Sequence, residues 1–413
     1  MTHFFPRWVN TATFLFFALS LGLKGGYNHG AALLFCFALF SVPWWWRVRR
    51  RDPALRHLAL AFCAMGLVGI ADAWFSGLRL THYNLPGKFL CMPLLLYFLA
   101  TFPPKARAVW LGAATGAIFG AITAWYYSTY TPELLTMGRG ARYLHPIQLG
   151  NIAMLLAMIA ACGLIADKNR YARVLLACGV LAGLYTALLS ETRGSFFSLL
   201  LCLFCLALMH LRRMQWSRRH MAVALALLAA VAVFALSGGE IIAKRLADIR
   251  QDLLLYEQGH SATSIGARFE LWRFAWAEGL RYPLFGAGTT QMLADKALWF
   301  ADHPARAFIA TLGHLHNEFL DAFARRGSVG LAAVILLFAL PLCFYLRRTP
   351  RARDQEALAC QLAATSHTLL YIGFSLTQAA IYIHSSGFMF LAIPLCVFYS
   401  LWLSQLPPHG AES

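Results

Sequence analysis

The sharpest local gathering of reactive side chains is Gly313-His314-Leu315-His316-Asn317-Glu318-Phe319-Leu320-Asp321. Histidines spaced i, i+2 do not share a helix face, so His314 and His316 do not read as a helical metal pair. No Asp-x-Asp occurs in the chain, which leaves divalent-metal glycosyl transfer without an obvious ligand set, and no metal or other cofactor is expected. An imidazole is the natural proton acceptor near neutral pH, and His316 is the candidate. The partners for such a base are cations. Arg193 stands in Ser190-Glu191-Thr192-Arg193-Gly194-Ser195, Arg268 opens Arg268-Phe269-Glu270-Leu271-Trp272, and Arg139 and Arg142 share the stretch 138–142. Lys88 sits one turn into an apolar run. A guanidinium offers a rigid fork of donors matched to phosphate oxygens. Arginines of this kind can stabilise the charge that grows on a departing lipid diphosphate, while the histidine takes the proton of the incoming hydroxyl. The competing readings are structural: a helix cap for His316, a salt-bridged surface residue for Arg268, and a residue that snorkels or pairs with Glu191 for Arg193.

These residues need elements to hold them, and composition says what those are. Of 413 residues, 59% are hydrophobic and only 13% are charged, about half the charged share of an ordinary soluble domain. The apolar residues fall into runs long enough to cross ~30 Å of hydrocarbon. Spans are expected near 9–24, 29–46, 57–75, 85–103, 107–127, 145–166, 172–190, 193–211, 220–237, 328–346, 359–381 and 385–405. The fold class is therefore all-α polytopic membrane protein, with about twelve transmembrane helices and a helical subdomain outside them. The domains are 1–237 with helices one to nine, a long loop 238–327, and 328–413 with helices ten to twelve. Within the loop, helices are expected over about 241–253 and 267–280, and from about His316 to Arg326.

The net charge of +17 does not point to nucleic acid, because the basic residues sit in short loops between apolar runs. One alternate set of loops carries 18 Lys and Arg, the other only 5. By the positive-inside rule the rich set is cytoplasmic, as are both termini, and the long loop faces the periplasm. Asp72, Lys88, Glu191 and Arg193 all map to that outer side, with nothing comparable at mid-membrane. This argues against an ion-coupled transporter, whose sites lie near the midplane. All ten cysteines lie in or beside apolar runs, so no disulfide framework is implied, and Cys202-x-x-Cys205 reads as packing. The first apolar stretch lacks a small-residue cleavage site and reads as a first helix rather than a signal peptide.

Over about 188–335 the chain resembles the bacterial O-antigen ligases, a membrane family shared with O-antigen polymerases and pilin oligosaccharyltransferases. The family's motif is His, then Asn, Ser or Gln, nine residues, Gly, two residues, then Gly, Thr or Tyr. Here it stands as His316-Asn317, nine residues, Gly327-Ser328-Val329-Gly330. The Thr192-Arg193-Gly194 segment, Arg268 to Trp272, and Pro283-Leu284-Phe285-Gly286-Ala287-Gly288 are similar to the family's other segments. The resemblance implies a polysaccharide donor on undecaprenyl diphosphate and lipid A-core as acceptor, both in membrane lipid, at the periplasmic face of the inner membrane. Arg193 and Arg268, helped by Lys88, Arg139 or Arg142, would hold the diphosphate. His316 would activate the core hydroxyl for metal-independent, inverting attack, with His314, Asn317, Glu318 and Asp321 supporting it. A polymerase or a pilin oligosaccharyltransferase on the same donor, and a lipid or anion transporter, remain open at this stage, as does the oligomeric state.

Overall fold

The computed structural model describes residues 4–211, 239–301, 306–347, 354–383 and 385–406, and among them it is all-helical. The main helices are α1 (Phe4–Ala18), α2 (Tyr27–Phe40), α3 (Pro53–Phe75), α4 (Asn84–Thr101), α5 (Ala106–Tyr130), α6 (Pro146–Ala166) and α7 (Arg170–Leu189). They continue with α8 (Arg193–Leu211), α9 (Gly239–Glu257), α10 (Ser264–Arg281), α11 (Thr289–Trp299), α12 (Glu318–Leu346), α13 (Gln355–Thr377) and α14 (Ser385–Gln405). Their starts are written in the sequence. Asp52, Asn169, Asn317 and Asp354 each accept amide hydrogen bonds from the first turn that follows, and prolines stand at the first position of α3 and α6.

Eight helices among the described residues are long and apolar enough to cross a membrane: α3, α4 with its preceding turn from Leu80, α5, α6, α7, α12, α13 and α14. The expected spans near 9–24 and 29–46 appear as helices of 15 and 14 residues, about 21–23 Å long at 1.5 Å per residue. That is shorter than a hydrocarbon core of ~30 Å. The apolar part of α8, Arg193–Met209, is also shorter than a full span, and the expected span at 220–237 lies outside the described residues. At the centre of the bundle stands α14, buried along its apolar length, with α6 beside it. Small residues let backbones approach. A Cβ on Gly179 of α7 would lie 2.5 Å from the Ala114 Cα of α5.

One end of the bundle is closed by a cap with its own core. Leu271, Phe274 and Ala275 of α10, Met292 of α11, Ile309, Leu315 and Ala324 of α12 form a second apolar cluster apart from the bundle core. The helix expected from His316 to Arg326 begins at Glu318 and runs into the following span, and the two are distinguished by a single break at Gly327 (φ 61, ψ −158). Into this break fits the turn 283–288. The Ser328 and Val329 amides donate to Pro283 O and Leu284 O, and the Ala287 and Gly288 amides donate to Ala324 O and Arg325 O.

A Cβ at Gly327 would lie 2.4 Å from the backbone of Leu284, in a conformation open essentially to glycine alone. Gly327→Ala is expected to cost at least ~1–3 kcal/mol in backbone strain. The melting temperature of the detergent-solubilised protein should fall, whereas Ser328→Ala, which keeps the amide, should leave it unchanged.

Candidate active site

Hydroxyl groups and close packing fix Arg193 at the start of α8. Ser190 Oγ donates to Thr192 Oγ1 (2.9 Å), Thr192 Oγ1 donates to Pro146 O (3.1 Å), and Ser195 Oγ donates to Thr192 O (2.8 Å). Gly194 packs so tightly on α13 that a Cβ there would stand 2.7 Å from Thr377 Oγ1. The fork of Arg193 points towards α9, where Asp248 (3.3 Å) and Asp252 (3.8 Å) lie one turn apart on one face. Arg193 is thus held by a pair of carboxylates from the segment 239–257.

Arg193, Arg268 and Arg139 line one cavity of about 350 Å³, with Glu191, Phe269 and Trp272 among its other walls. The charge is strongly one-sided: three guanidinium groups against one carboxylate among the lining residues. Arg268 Nε and Trp272 Nε1 are buried without a hydrogen-bond partner, and Arg193 Nη1 has only its longer ion pair with Asp252. A buried unpaired donor costs about 1–3 kcal/mol, so two of them on residues lining one cation-rich cavity form a site suited to an anion rich in oxygens. Burial first, then the charges of Arg193 and Arg139, pull the Arg268 pKa down, while Asp252 opposes the shift. Lys88 and Arg142 are not among the residues lining this cavity. Lys88 Nζ donates to Ser385 Oγ (3.4 Å), and Arg142 lies near the rings of Tyr127 and Tyr143 while donating to Leu134 O.

His316 sits on a loop whose shape the cap imposes. Leu315 is fully buried in the cap core, and the rings of His314 and His316 flank it with centroids 4.1 Å apart. The His316 amide donates to His314 Nδ1 (3.3 Å), which assigns the acceptor nitrogen of His314. The backbone of His316 is left-handed (φ 52). Among the described residues the other two non-glycine residues with positive φ are Met137 and Glu191, each two residues before an arginine of the cavity, Arg139 and Arg193. A left-handed backbone at a non-glycine residue is costly and persists only where the surrounding structure holds it.

Three side chains that sequence reasoning passed over hold the histidine loop. Lys296 Nζ donates to Leu312 O, Arg325 Nη2 donates to Gly313 O (3.0 Å), and Arg326 Nε pairs with Asp72 (3.0 Å) behind them. Asp321 Oδ1 accepts from the Leu315 amide (3.1 Å), and its other oxygen pairs with Arg325 (2.8 Å). Asp72 also accepts from the amide and hydroxyl of Thr289, both at 2.8 Å. The i, i+4 spacing of Asp321 and Arg325 was the one signal in the sequence for this network. Asn317 caps α12 and its amide donates to Leu376 O (3.3 Å), while Glu318 accepts from the Ile381 amide (2.9 Å). These two residues fasten the loop to α13 and to the segment after it.

The result is an imidazole kept neutral. Burial foremost, then the neighbouring His314 and the charge of Arg268, push the His316 pKa down to about 3. His314 is pushed down to about 4, again chiefly by burial, with Asp321 opposing the shift. The Nδ1 of His316 is buried with no hydrogen-bond partner. Among the described residues no three His, Cys, Asp or Glu side chains converge as metal ligands would.

Residues 177–335 match a family model described as O-antigen ligase. An uncharacterized protein of Haemophilus influenzae is 23% identical over 396 residues, covering 92% of this chain and 95% of that protein. The matched segment contains Arg193, Arg268 and His316 together with the glycine break that seats their loop, and it supports membership of this chain in the O-antigen ligase family.

Proposed function

We propose that the chain is an O-antigen ligase of the bacterial inner membrane, moving polysaccharide from undecaprenyl diphosphate to a hydroxyl of lipid A-core. The observation that carries this reading is the cavity lined by three arginines, with Arg268 Nε buried and lacking a hydrogen-bond partner, beside a histidine held neutral. Arg193 and Arg268, with Arg139 at the wall, hold the two phosphates. The acceptor oxygen forms a bond to the anomeric carbon from the face opposite the diphosphate. The carbon–oxygen bond to phosphate breaks, and the electron pair leaves with undecaprenyl diphosphate. His316 takes the hydroxyl proton, no covalent intermediate forms, and the anomeric centre inverts. The charge distribution of the loops supports a site on the periplasmic side with both termini in the cytoplasm.

The test is transfer in vitro with the purified chain, offering the donor alone, the donor with lipid A-core, and the donor with a pilin. Polysaccharide joined to lipid A-core, at a rate unchanged by chelator, supports the proposal. Lengthening of the donor by itself identifies a polymerase, and glycosylated pilin identifies a protein oligosaccharyltransferase.

The carboxylates of α9 compete with the donor for Arg193. Removing their charge in Asp248→Asn/Asp252→Asn should lower the donor KM roughly two- to fivefold, the range of a partly exposed ion pair. A raised donor KM would mean instead that the pair positions Arg193 for the phosphate.

A further inference from the structure

A second cavity, of about 310 Å³, opens beside α3 and α4 and is bounded by Asp72, His82, Thr289, Gly313, Arg325 and Arg326. Its size falls within the ~300–1,000 Å³ of small-ligand sites. Its electrostatics differ from those of the arginine cavity. Two guanidinium groups face two carboxylates, Asp72 and Asp321, and each is already matched: Arg326 with Asp72 at 3.0 Å, Arg325 with Asp321 at 2.8 Å. Such a wall has no net charge to offer a phosphate. It offers fixed donors and acceptors in close pairs, with Thr81 and Thr289 hydroxyls beside them and the apolar edges of Leu85, Pro86 and Leu293. Vicinal hydroxyl groups, each both donor and acceptor, are the ligands that suit paired carboxylate and guanidinium groups, and an apolar edge suits the C–H face of a sugar ring.

The second cavity borders the histidine loop through Gly313 and Asp321. On one side Arg325 holds Gly313 O and Asp321 holds the Leu315 amide. On the other, Arg268 of the arginine cavity is close enough for its charge to act on His316. Inverting attack needs the acceptor hydroxyl and the diphosphate on opposite faces of the anomeric carbon, and two separate cavities allow that.

We propose that this second cavity is a saccharide subsite that receives a neutral sugar ring of the acceptor and presents its hydroxyl to His316. The assignment rests on the ligase reading for the use of the site, but binding is tested without turnover. Gly313 supplies the tool: its backbone is not left-handed, and a Cβ there would meet no heavy atom within 4 Å. A large side chain at 313 starts from open space on the wall of the cavity. His82, exposed on another wall, allows a second block.

The probe is the core oligosaccharide freed from a lipopolysaccharide by mild acid, observed by saturation-transfer NMR on the full chain in nanodiscs. Saturation transfer is expected with the wild type and with Arg268→Ala, and is expected to vanish in Gly313→Phe and in His82→Trp. In the transfer assay, Gly313→Phe should raise the acceptor KM roughly tenfold or more while the donor KM stays within about twofold. Saturation transfer absent from the wild type, or persisting in both blocked variants, overturns the subsite. Transfer to lipid A-core with an unaltered acceptor KM in Gly313→Phe also overturns it and leaves the ligase reading intact. Saccharide binding blocked at 313 and 82, in a chain that transfers nothing to lipid A-core, keeps the subsite and removes the ligase reading.

Discussion

Replacing His316 by alanine is expected to lower transfer about 10²–10⁴-fold, the usual contribution of a positioned general base, while the protein still inserts and folds. In cells, lipopolysaccharide should lose its O-antigen and undecaprenyl-linked polymer should accumulate. The fold should tolerate the change, because the loop is held by Lys296, Arg325, Asp321 and Asn317 rather than by the imidazole of His316. The pH dependence gives a separate check. An ordinary histidine titrates near 6.5, whereas His316 is pushed down to about 3 by burial and by His314 and Arg268. The ring therefore stays neutral, and able to accept a proton, as pH falls from 8 through 6. The kcat/KM for acceptor should show no acid limb near 6.5. A bound diphosphate offsets the charge of Arg268 and makes the imidazole more basic, so any acid limb in kcat should lie above the one in kcat/KM for donor, which reports the donor-free enzyme. Donor binding thereby arms the base. Stability follows the same linkage. Between pH 6.5 and about 3 the unfolded chain binds a proton at this residue that the native chain does not, so its contribution to stability is lost as pH falls through that window. An acid limb at the ordinary histidine pKa that survives in His316→Ala would be due to another group; one that disappears in it would contradict a depressed imidazole.

Arg268→Ala is expected to cost about 10²–10³-fold in kcat, the range for removing one preorganised donor to developing charge. Arg268→Lys should recover little of this. The Nε of Arg268 is buried beside the cavity without a partner, and an ammonium on a flexible stem cannot replace a planar fork held in that direction. The reading is specific about which parameter moves. Charge that appears only as the carbon–oxygen bond breaks is stabilised in the transition state, so kcat should fall more than donor KM rises. Arg142→Ala is the internal control: that residue donates to Leu134 O, is absent from the cavity walls, and should change the rate little. Equal losses at 142 and 268 would show that net positive charge, and not placement, is what the reaction uses.

The sequence by itself determined a good deal. Apolar runs gave the all-helical fold and its main spans, because in hydrocarbon the backbone must satisfy its own hydrogen bonds and a helix does so within one segment. Local signals placed Asn317 before a helix, put a helix over the stretch beginning near Arg268, and singled out His316 and the two arginines now found on one cavity. What it could not give was partnership across long separations. Asp72 meets Arg326 and Thr289 across more than two hundred residues, and Lys296 reaches Leu312 from another helix. No periodicity encodes such pairs. The pairing of Arg193 with Asp248 and Asp252, the position of Lys88 and Arg142 away from the cavity walls, and the second cavity itself have the same origin. Spacing along a chain fixes which side chains share a helix face. Only the packing of one helix end on another fixes which faces meet, and the unpaired donors and the charge-balanced wall exist only after that packing is complete.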